Sequence, residues 1–178
     1  IKVTLAEDND EEVNIIRVPT WKLVAVPALA LTTFSMSYGA ISSFLSPAMQ
    51  ELDAARGASL AGIMLSIVGG AAMIFRYFAG VVADRTGAPG SLYIPSQIMA
   101  IIGVGTISLT LFMESSIWWL VLGAILFGGA FGIAQNEALL SMFDRLPRER
   151  VSEASAIWNI FYDSGTGLGS TLLGAMVA

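Results

Sequence analysis

The stretch Leu23–Gln50, LVAVPALALTTFSMSYGAISSFLSPAMQ, contains no Asp, Glu, Lys or Arg. A helix crosses the hydrocarbon core of a bilayer with about 20 residues, so this stretch is long enough to span a membrane. Four more runs share this property; they are residues 57–75, 86–113, 115–136 and 164–178. With their flanks, the runs predict an all-α membrane protein with five transmembrane helices, at approximately 22–46, 58–83, 91–113, 116–143 and 154–178.

The composition agrees with lipid being part of the solvent and excludes several classes of function. The chain is 55% apolar and only 13% charged, whereas soluble domains carry about 25% charged residues. It has no cysteine and no histidine, which excludes disulfides, zinc sites and catalysis by either side chain. It also lacks a basic patch for nucleic acid and a glycine-rich ATP loop. We therefore expect no enzyme, no cofactor and no metal.

The positions of lysine and arginine predict the orientation. Eight of the nine lie on the side of the N-terminus, and Arg56 alone lies on the other; the eight are Lys2, Arg17, Lys22, Arg76, Arg85, Arg145, Arg148 and Arg150. Basic loops stay in the cytoplasm, so the N-terminus is predicted to be cytoplasmic. Residues 1–20, with five acidic residues from Glu7 to Glu12, then form an acidic cytoplasmic linker, and residues 21–178 form the helical bundle.

The loop after the second helix carries a recognisable signature. The segment Gly80-Val-Val-Ala-Asp84-Arg85-Thr-Gly87 resembles the G-x-x-x-D-R-x-G-R-R motif of the major facilitator superfamily, although Ala88-Pro89 replaces the two final basic residues. The stretch from Ser37–Gly39 to Phe44–Pro47 resembles the seventh helix of that family, and the stretch Phe131–Gly169 resembles its tenth and eleventh helices. The resemblance covers roughly residues 20–178 and implies a twelve-helix transporter built from two halves of six helices.

The resemblance favours the C-terminal half, helices seven to eleven. The family's first half usually carries an arginine in its fourth helix, and residues 120–133 contain none. It often carries a glycine-proline motif in its fifth helix, where this chain has Ser170. The first half is the alternative assignment. With five spans and a cytoplasmic N-terminus, one more helix is expected to complete the half-bundle, and the missing N-terminal half would be its partner.

Charged residues near the cytoplasmic helix ends form a predicted gating cluster. Arg76, Gly80 and Asp84 share one helix face, and Glu137 and Asp144 share another, because a helix has 3.6 residues per turn. The resemblance implies a gating role for Asp84 and Arg85. The alternative is that these side chains only reach the membrane interface. The predicted cluster consists of Arg76, Asp84, Arg85, Glu137, Asp144 and Arg145.

A carboxyl group within the last helix is a candidate proton site. Asp163 lies about nine residues into that helix, or roughly 13 Å, which approaches the middle of a hydrocarbon core about 30 Å thick. The alternative is a structural hydrogen bond to a neighbouring helix. Polar groups in lipid need partners or a water-filled cavity, so seven residues are predicted to line a solute path; they are Ser35, Tyr38, Ser42, Gln135, Asn136, Asn159 and Tyr162. Trp158 and Phe34 could stack on an apolar solute.

The sequence thus predicts secondary transport of a small solute by alternating access, in an integral protein of the bacterial inner (plasma) membrane. Its expected partners are the lipid bilayer, the solute and a proton. The main alternative is a membrane-embedded structural or sensory module that keeps the fold without transport, and the missing basic pair after Gly87 favours it mildly. An intramembrane enzyme would have to rely on Asp163 and Glu137, which lie on different helices.

Overall fold

A computed structural model describes residues 19–177 and contains five long helices. They are α1 (Thr20–Leu52), α2 (Gly57–Thr86), α3 (Tyr93–Phe112), α4 (Ile117–Arg145) and α5 (Val151–Val177), with a single 3₁₀ turn at Arg148–Arg150 before α5. No strand occurs within this range. The predicted all-α fold is therefore confirmed. The predicted acidic linker, residues 1–20, lies almost entirely outside the described residues.

Four of the helices are suited to a membrane by length and composition. Helices α1 to α4 are long and apolar enough to cross a bilayer. Large apolar side chains cover the outer surface, and on α3 Ile101 is 72% and Phe112 is 87% exposed. Water would disfavour such a surface, whereas lipid accommodates it. Helix α5 is not among these four, although its 27 residues give it a length of about 40 Å, because polar residues interrupt its apolar character.

The observed helix ends correct one prediction. The first helix was predicted to end near residue 46, just before Pro47, but α1 continues through Pro47 to Leu52. A proline removes one backbone hydrogen bond, and helices in membranes tolerate this where neighbouring groups compensate. The helix ends instead at Asp53, whose carboxylate accepts hydrogen bonds from the Ala55 and Arg56 amides, both at 3.0 Å. The loop after α2 was predicted at residues 84–90 and lies at 87–92, and Gly87 ends α2 with a φ of 61°.

Helix α4 is the centre of the bundle. It packs extensively against α2 and α3, while α1 packs along α5 and also contacts α4 and α2. The first helix of each repeat is α1 or α4, and the second is α2 or α5. The contact between α1 and α5 then corresponds to the contact between α4 and α2, and both are extensive. The arrangement therefore has the approximate internal symmetry of an inverted three-helix repeat, as found in many transporters.

Both of these helix contacts depend on glycine. A Cβ atom at Gly128 or Gly132 of α4 would collide with the backbone of α2, and one at Gly39 of α1 would collide with the backbone of Thr166 in α5. Small residues let helices approach closely in lipid, where no hydrophobic force drives them together. Other helical glycines have nothing within 4 Å of such a Cβ; they are Gly62, Gly69, Gly70, Gly105 and Gly167. Packing within this chain thus explains only part of the glycine pattern.

Candidate functional site

Four aromatic rings from three helices form a continuous stack inside the bundle. Tyr38 of α1 lies 4.8 Å from Phe131 of α4, between ring centroids, and the ring planes are 10° apart. Phe131 lies 6.0 Å from Tyr162 of α5, and Tyr162 lies 5.2 Å from Trp158, one turn earlier in the same helix. Two predicted path residues, Tyr38 and Tyr162, are thus brought together. We name these four rings the aromatic stack.

A guanidinium group closes one end of the aromatic stack. The Cζ atom of Arg76 in α2 lies 5.7 Å from the centroid of the Trp158 ring. Arg76 Nη1 donates a hydrogen bond to Gln135 Oε1 at 3.0 Å. Trp158 Nε1 donates to the backbone carbonyl of Gln135 at 3.2 Å. Side chains of α2, α4 and α5 therefore meet at Gln135, another residue of the predicted solute path.

The buried carboxyl group of Glu137 holds the loop between α2 and α3. Glu137 is fully buried in α4, and its Oε2 atom accepts a hydrogen bond from the Leu92 amide at 3.3 Å. Leu92 directly precedes the first residue of α3, so the carboxylate lies at the positive end of the helix dipole, where negative charge is favourable. Oε1 of Glu137 has no hydrogen-bond partner among the described residues.

The six residues of the predicted gating cluster do not form one group in this conformation. Arg76 contacts Gln135 and Trp158, Glu137 contacts Leu92, and Arg145 donates to the Leu23 carbonyl of α1 at 3.3 Å. Asp84, Arg85 and Asp144 are exposed. Within residues 19–177, no two of the six lie within 4.0 Å as an ion pair. The spacing along each helix indicates which of these residues share a helix face, but it does not predict which groups on other helices they contact.

A second polar contact at the same end of the bundle was not predicted. Arg150 Nη1 donates to Thr20 Oγ1 at 2.8 Å, and Thr20 Oγ1 donates to Glu153 Oε2 at 2.9 Å. Arg150 and Glu153 also form an ion pair at 3.9 Å. These residues join the start of α1 to the start of α5. The i,i+3 spacing of Arg150 and Glu153 could have predicted their ion pair. Nothing in the sequence indicates that Thr20 contacts both of them.

The other predicted path residues fall into two groups. Ser35 is fully buried beside Gly165, in the contact between α1 and α5, and Ser42 donates to the Gly39 carbonyl of its own helix at 3.1 Å. Asn136 faces Gly80, with Oδ1 3.9 Å from where a Cβ would lie. Asn159 and Asp163 are exposed on α5. Asn159 donates to the Ser155 carbonyl at 2.8 Å.

A further cavity of the bundle lies elsewhere. A groove of about 580 Å³ separates α1 from α3 and is lined mainly by apolar and small side chains, such as Phe34, Ala100 and Val104, together with the polar Gln97. None of the rings of the aromatic stack lines it. Its wall includes Ile101, which is 72% exposed on the outer surface. The groove is therefore open towards the lipid side of α3, and the geometry favours the aromatic stack and Arg76 as the functional site.

Comparison with protein families identifies the chain. Residues 5–170 match the family model described as Major Facilitator Superfamily. The chain belongs to the major facilitator superfamily. Searches of curated proteins and of solved structures found no match. The superfamily consists of membrane transporters, so this member is an integral membrane protein of a transporter family.

The contact of Glu137 has a testable consequence, because the loop that it holds directly follows the signature at the end of α2. Replacing Glu137 by alanine removes a charged hydrogen bond worth about 1.5–3 kcal/mol. We expect hydrogen exchange in residues 87–92 to become at least about tenfold faster, since 1.4 kcal/mol corresponds to a factor of ten. Mass spectrometry of the exchanged loop peptide measures this. The exposed Asp144→Ala is the matched control, and equal exchange rates in the two variants would contradict the contact.

Proposed function

We propose that the chain is the C-terminal half of a secondary transporter that moves a small solute by alternating access. The observation that carries the proposal is the polar surface of α5. Asn159 and Asp163 are exposed on this helix, which lies alongside the membrane-crossing α1. Lipid would leave the Asp163 carboxyl group and the rest of the Asn159 amide unsolvated at high cost, whereas a water-filled path between two halves would solvate them.

The orientation is proposed from the charge distribution. Among the described residues, Lys22, Arg85, Arg145, Arg148 and Arg150 lie at one end of the bundle, and Arg56 lies at the other. The basic end is proposed to face the cytoplasm of a bacterial cell, with the bundle in the inner membrane. The exposed Asp84, Arg85 and Asp144 then lie at the cytoplasmic end. There they are available to pair with the N-terminal half when the transporter closes on that side.

The solute path is proposed to run along the aromatic stack and the polar surface of α5. Asp163 is placed on that path as a candidate proton site, since it is exposed beside Tyr162. Asn136 lies at the boundary between α4 and α2, next to the signature glycine Gly80. Ser35 and Ser42 are proposed to act through packing, because their immediate neighbours are backbone atoms of α1 and α5.

Efflux from proteoliposomes tests transport against a non-transporting module with the same fold. The natural full-length protein that contains this chain is reconstituted into vesicles loaded with a mixture of small metabolites, and efflux is followed by mass spectrometry. We expect one solute, or a few related ones, to leave faster than from protein-free vesicles. Identical efflux of every solute from both kinds of vesicle would favour the structural or sensory module.

A further inference from the structure

The carboxyl group of Glu137 has no basic partner in the part of the bundle that the structure describes. Glu137 is fully buried in α4, and its Oε1 atom has no hydrogen-bond partner among residues 19–177. The one ion pair of this range joins Arg150 to Glu153. Buried charges in proteins are normally paired or coordinate a metal ion. The free carboxylate oxygen therefore indicates a partner that is not a side chain of these residues.

Basic side chains on the neighbouring elements have other contacts. Arg145 lies eight residues after Glu137 on α4, about 12 Å along the helix, and donates to the Leu23 carbonyl of α1. Arg76 of α2 donates to Gln135. Because the Glu137 side chain is fully buried within this bundle, a basic residue from another part of the transporter cannot reach it unless the bundle opens. A small mobile cation can.

Two hydroxyl groups lie beside the free carboxylate oxygen. Tyr93 directly follows Leu92, whose amide binds Oε2 of Glu137, and the Tyr93 hydroxyl is buried without a hydrogen-bond partner in the described chain. This hydroxyl is close enough to Glu137 and Ser141 to interact electrostatically with both. Ser141 is buried and lies four residues after Glu137, on the same face of α4. Oxygen atoms of α3 and α4 therefore converge at this point.

The loop between α2 and α3 covers these oxygen atoms. A Cβ atom built at Gly90 would lie 3.3 Å from Ser141 Oγ and 3.7 Å from the Tyr93 ring, so the loop backbone lies directly over both. The loop's own backbone hydrogen bonds are long: Ser91 N to Ala88 O and Tyr93 N to Gly90 O both measure 3.3 Å. Contacts beneath the loop therefore contribute to keeping it closed.

We propose that Glu137, Tyr93 and Ser141 bind one small monovalent cation, such as Na⁺, beneath the loop that follows the signature. Hard cations prefer oxygen ligands, and one carboxylate balances one positive charge. A divalent ion is disfavoured, because the described residues contain no group of three or more acidic side chains that could hold it. A buried water molecule would satisfy the hydroxyl groups but would leave the charge of Glu137 unbalanced.

This cation site extends the expectation of no metal, which followed from the absence of cysteine and histidine. Those residues are ligands for transition metals, whereas an alkali-metal ion needs only oxygen atoms. The site is separate from the solute path along the aromatic stack. Because the ion binds beneath the closed loop, it links the position of the loop after the signature to the ion composition of the solution at that end of the bundle.

An ion titration of the loop tests the site. Hydrogen exchange of the peptide that covers residues 87–92 is measured by mass spectrometry on the purified full-length protein, with NaCl replacing choline chloride at constant ionic strength. An ion that binds only the closed loop slows exchange in proportion to one plus the ratio of its concentration to its Kd, about elevenfold at about ten times Kd. KCl and MgCl₂ are titrated in the same way. We expect saturable slowing by Na⁺ or K⁺.

Three variants separate ion binding from a structural role. Glu137→Gln keeps an oxygen atom for the Leu92 amide but removes the charge, so its loop exchange should no longer respond to Na⁺ or K⁺. Tyr93→Phe removes one ligand and should need a higher ion concentration for the same slowing. Glu149→Gln changes an exposed glutamate at the same end of the bundle. It is the matched control and should respond as wild type does.

Two results would overturn the ion site: loop exchange that is the same in Na⁺, K⁺ and choline, or an ion response that persists in Glu137→Gln. A response to Mg²⁺ at lower concentration than to Na⁺ or K⁺ would overturn the monovalent assignment. If Glu137→Gln does not fold, the titrations of wild type and Tyr93→Phe decide the question, and equal responses in these two contradict the proposal. None of these results depends on metabolite efflux, so the proposed function keeps its own test.

Discussion

Replacing Gly169 with alanine is expected to lower the free energy of unfolding by about 2 kcal/mol or more, because overpacking a tight contact costs typically 1–3 kcal/mol. A Cβ atom at this position of α5 would overlap the backbone carbonyl of Met36 in α1. Backbone atoms cannot rotate away as a flexible side chain can, so the two helices must separate. Lost dispersion contacts along the whole α1–α5 interface then add to the cost.

Gly167 offers a matched control in the same helix. It lies two residues before Gly169, and nothing lies within 4 Å of a Cβ built there. Alanine is favoured over glycine in helices by about 0.5–1 kcal/mol, so Gly167→Ala should be neutral or slightly stabilising. Unfolding in detergent by titration with sodium dodecyl sulfate measures both variants. Similar losses at the two positions would contradict the close approach of α1 and α5.

Replacing Phe131 with alanine is expected to have the second large effect, a loss of about 3–5 kcal/mol. The part of this loss that comes from transferring the side chain out of water is small here, because the unfolded protein in detergent or lipid is also in an apolar environment. The cavity term remains: a void of about 100 Å³ at about 24 cal/mol per Å³ costs about 2.4 kcal/mol. Phe131 also stacks with Tyr38, Tyr162 and Phe127, and each ring pair adds about 0.5–1.5 kcal/mol.

The same detergent unfolding experiment measures this change. Phe112→Ala is the control, since Phe112 is 87% exposed at the end of α3 and should change stability by less than about 0.5 kcal/mol. Phe131→Leu keeps much of the volume and should lose less than Phe131→Ala. A loss at Phe131 no larger than that at Phe112 would show that the aromatic stack does not organise the centre of the bundle.

The helices were predictable because lipid imposes a simple rule. A charge-free run of about 20 residues must be a helix in the hydrocarbon core, and most of each of the five runs lies in a helix of the structure. The same rule explains the error at Pro47. The predicted end at residue 46 lies just before this proline, where a helix in water would stop, but a helix in lipid continues when ending it would expose unpaired backbone groups.

The contacts of the candidate site were less predictable than its residues. Tyr38, Tyr162 and Gln135 were selected for polarity within an apolar run, and the structure places them around one site. Phe131 carries no such signal, because an aromatic residue among glycines and alanines is indistinguishable from ordinary core. Glu137 illustrates a further limit: its partner is the backbone amide of Leu92, and backbone donors leave no trace in the sequence.

The central claim is that the polar surface of α5 lies on a path that opens to each side of the membrane in turn. The chain contains no cysteine, so a single introduced thiol can report on this surface once any cysteines elsewhere in the full-length protein are removed. Asn159→Cys places the thiol on the polar surface, and Ile160→Cys places it on the neighbouring apolar surface, where the native side chain is 61% exposed.

Labelling of Asn159→Cys by a membrane-impermeant thiol reagent, added to right-side-out or inside-out vesicles, is therefore the most direct measurement. Alternating access predicts labelling from both sides at Asn159→Cys and from neither side at Ile160→Cys, which faces lipid. Labelling of Asn159→Cys from one side only, or from neither side, would contradict the account.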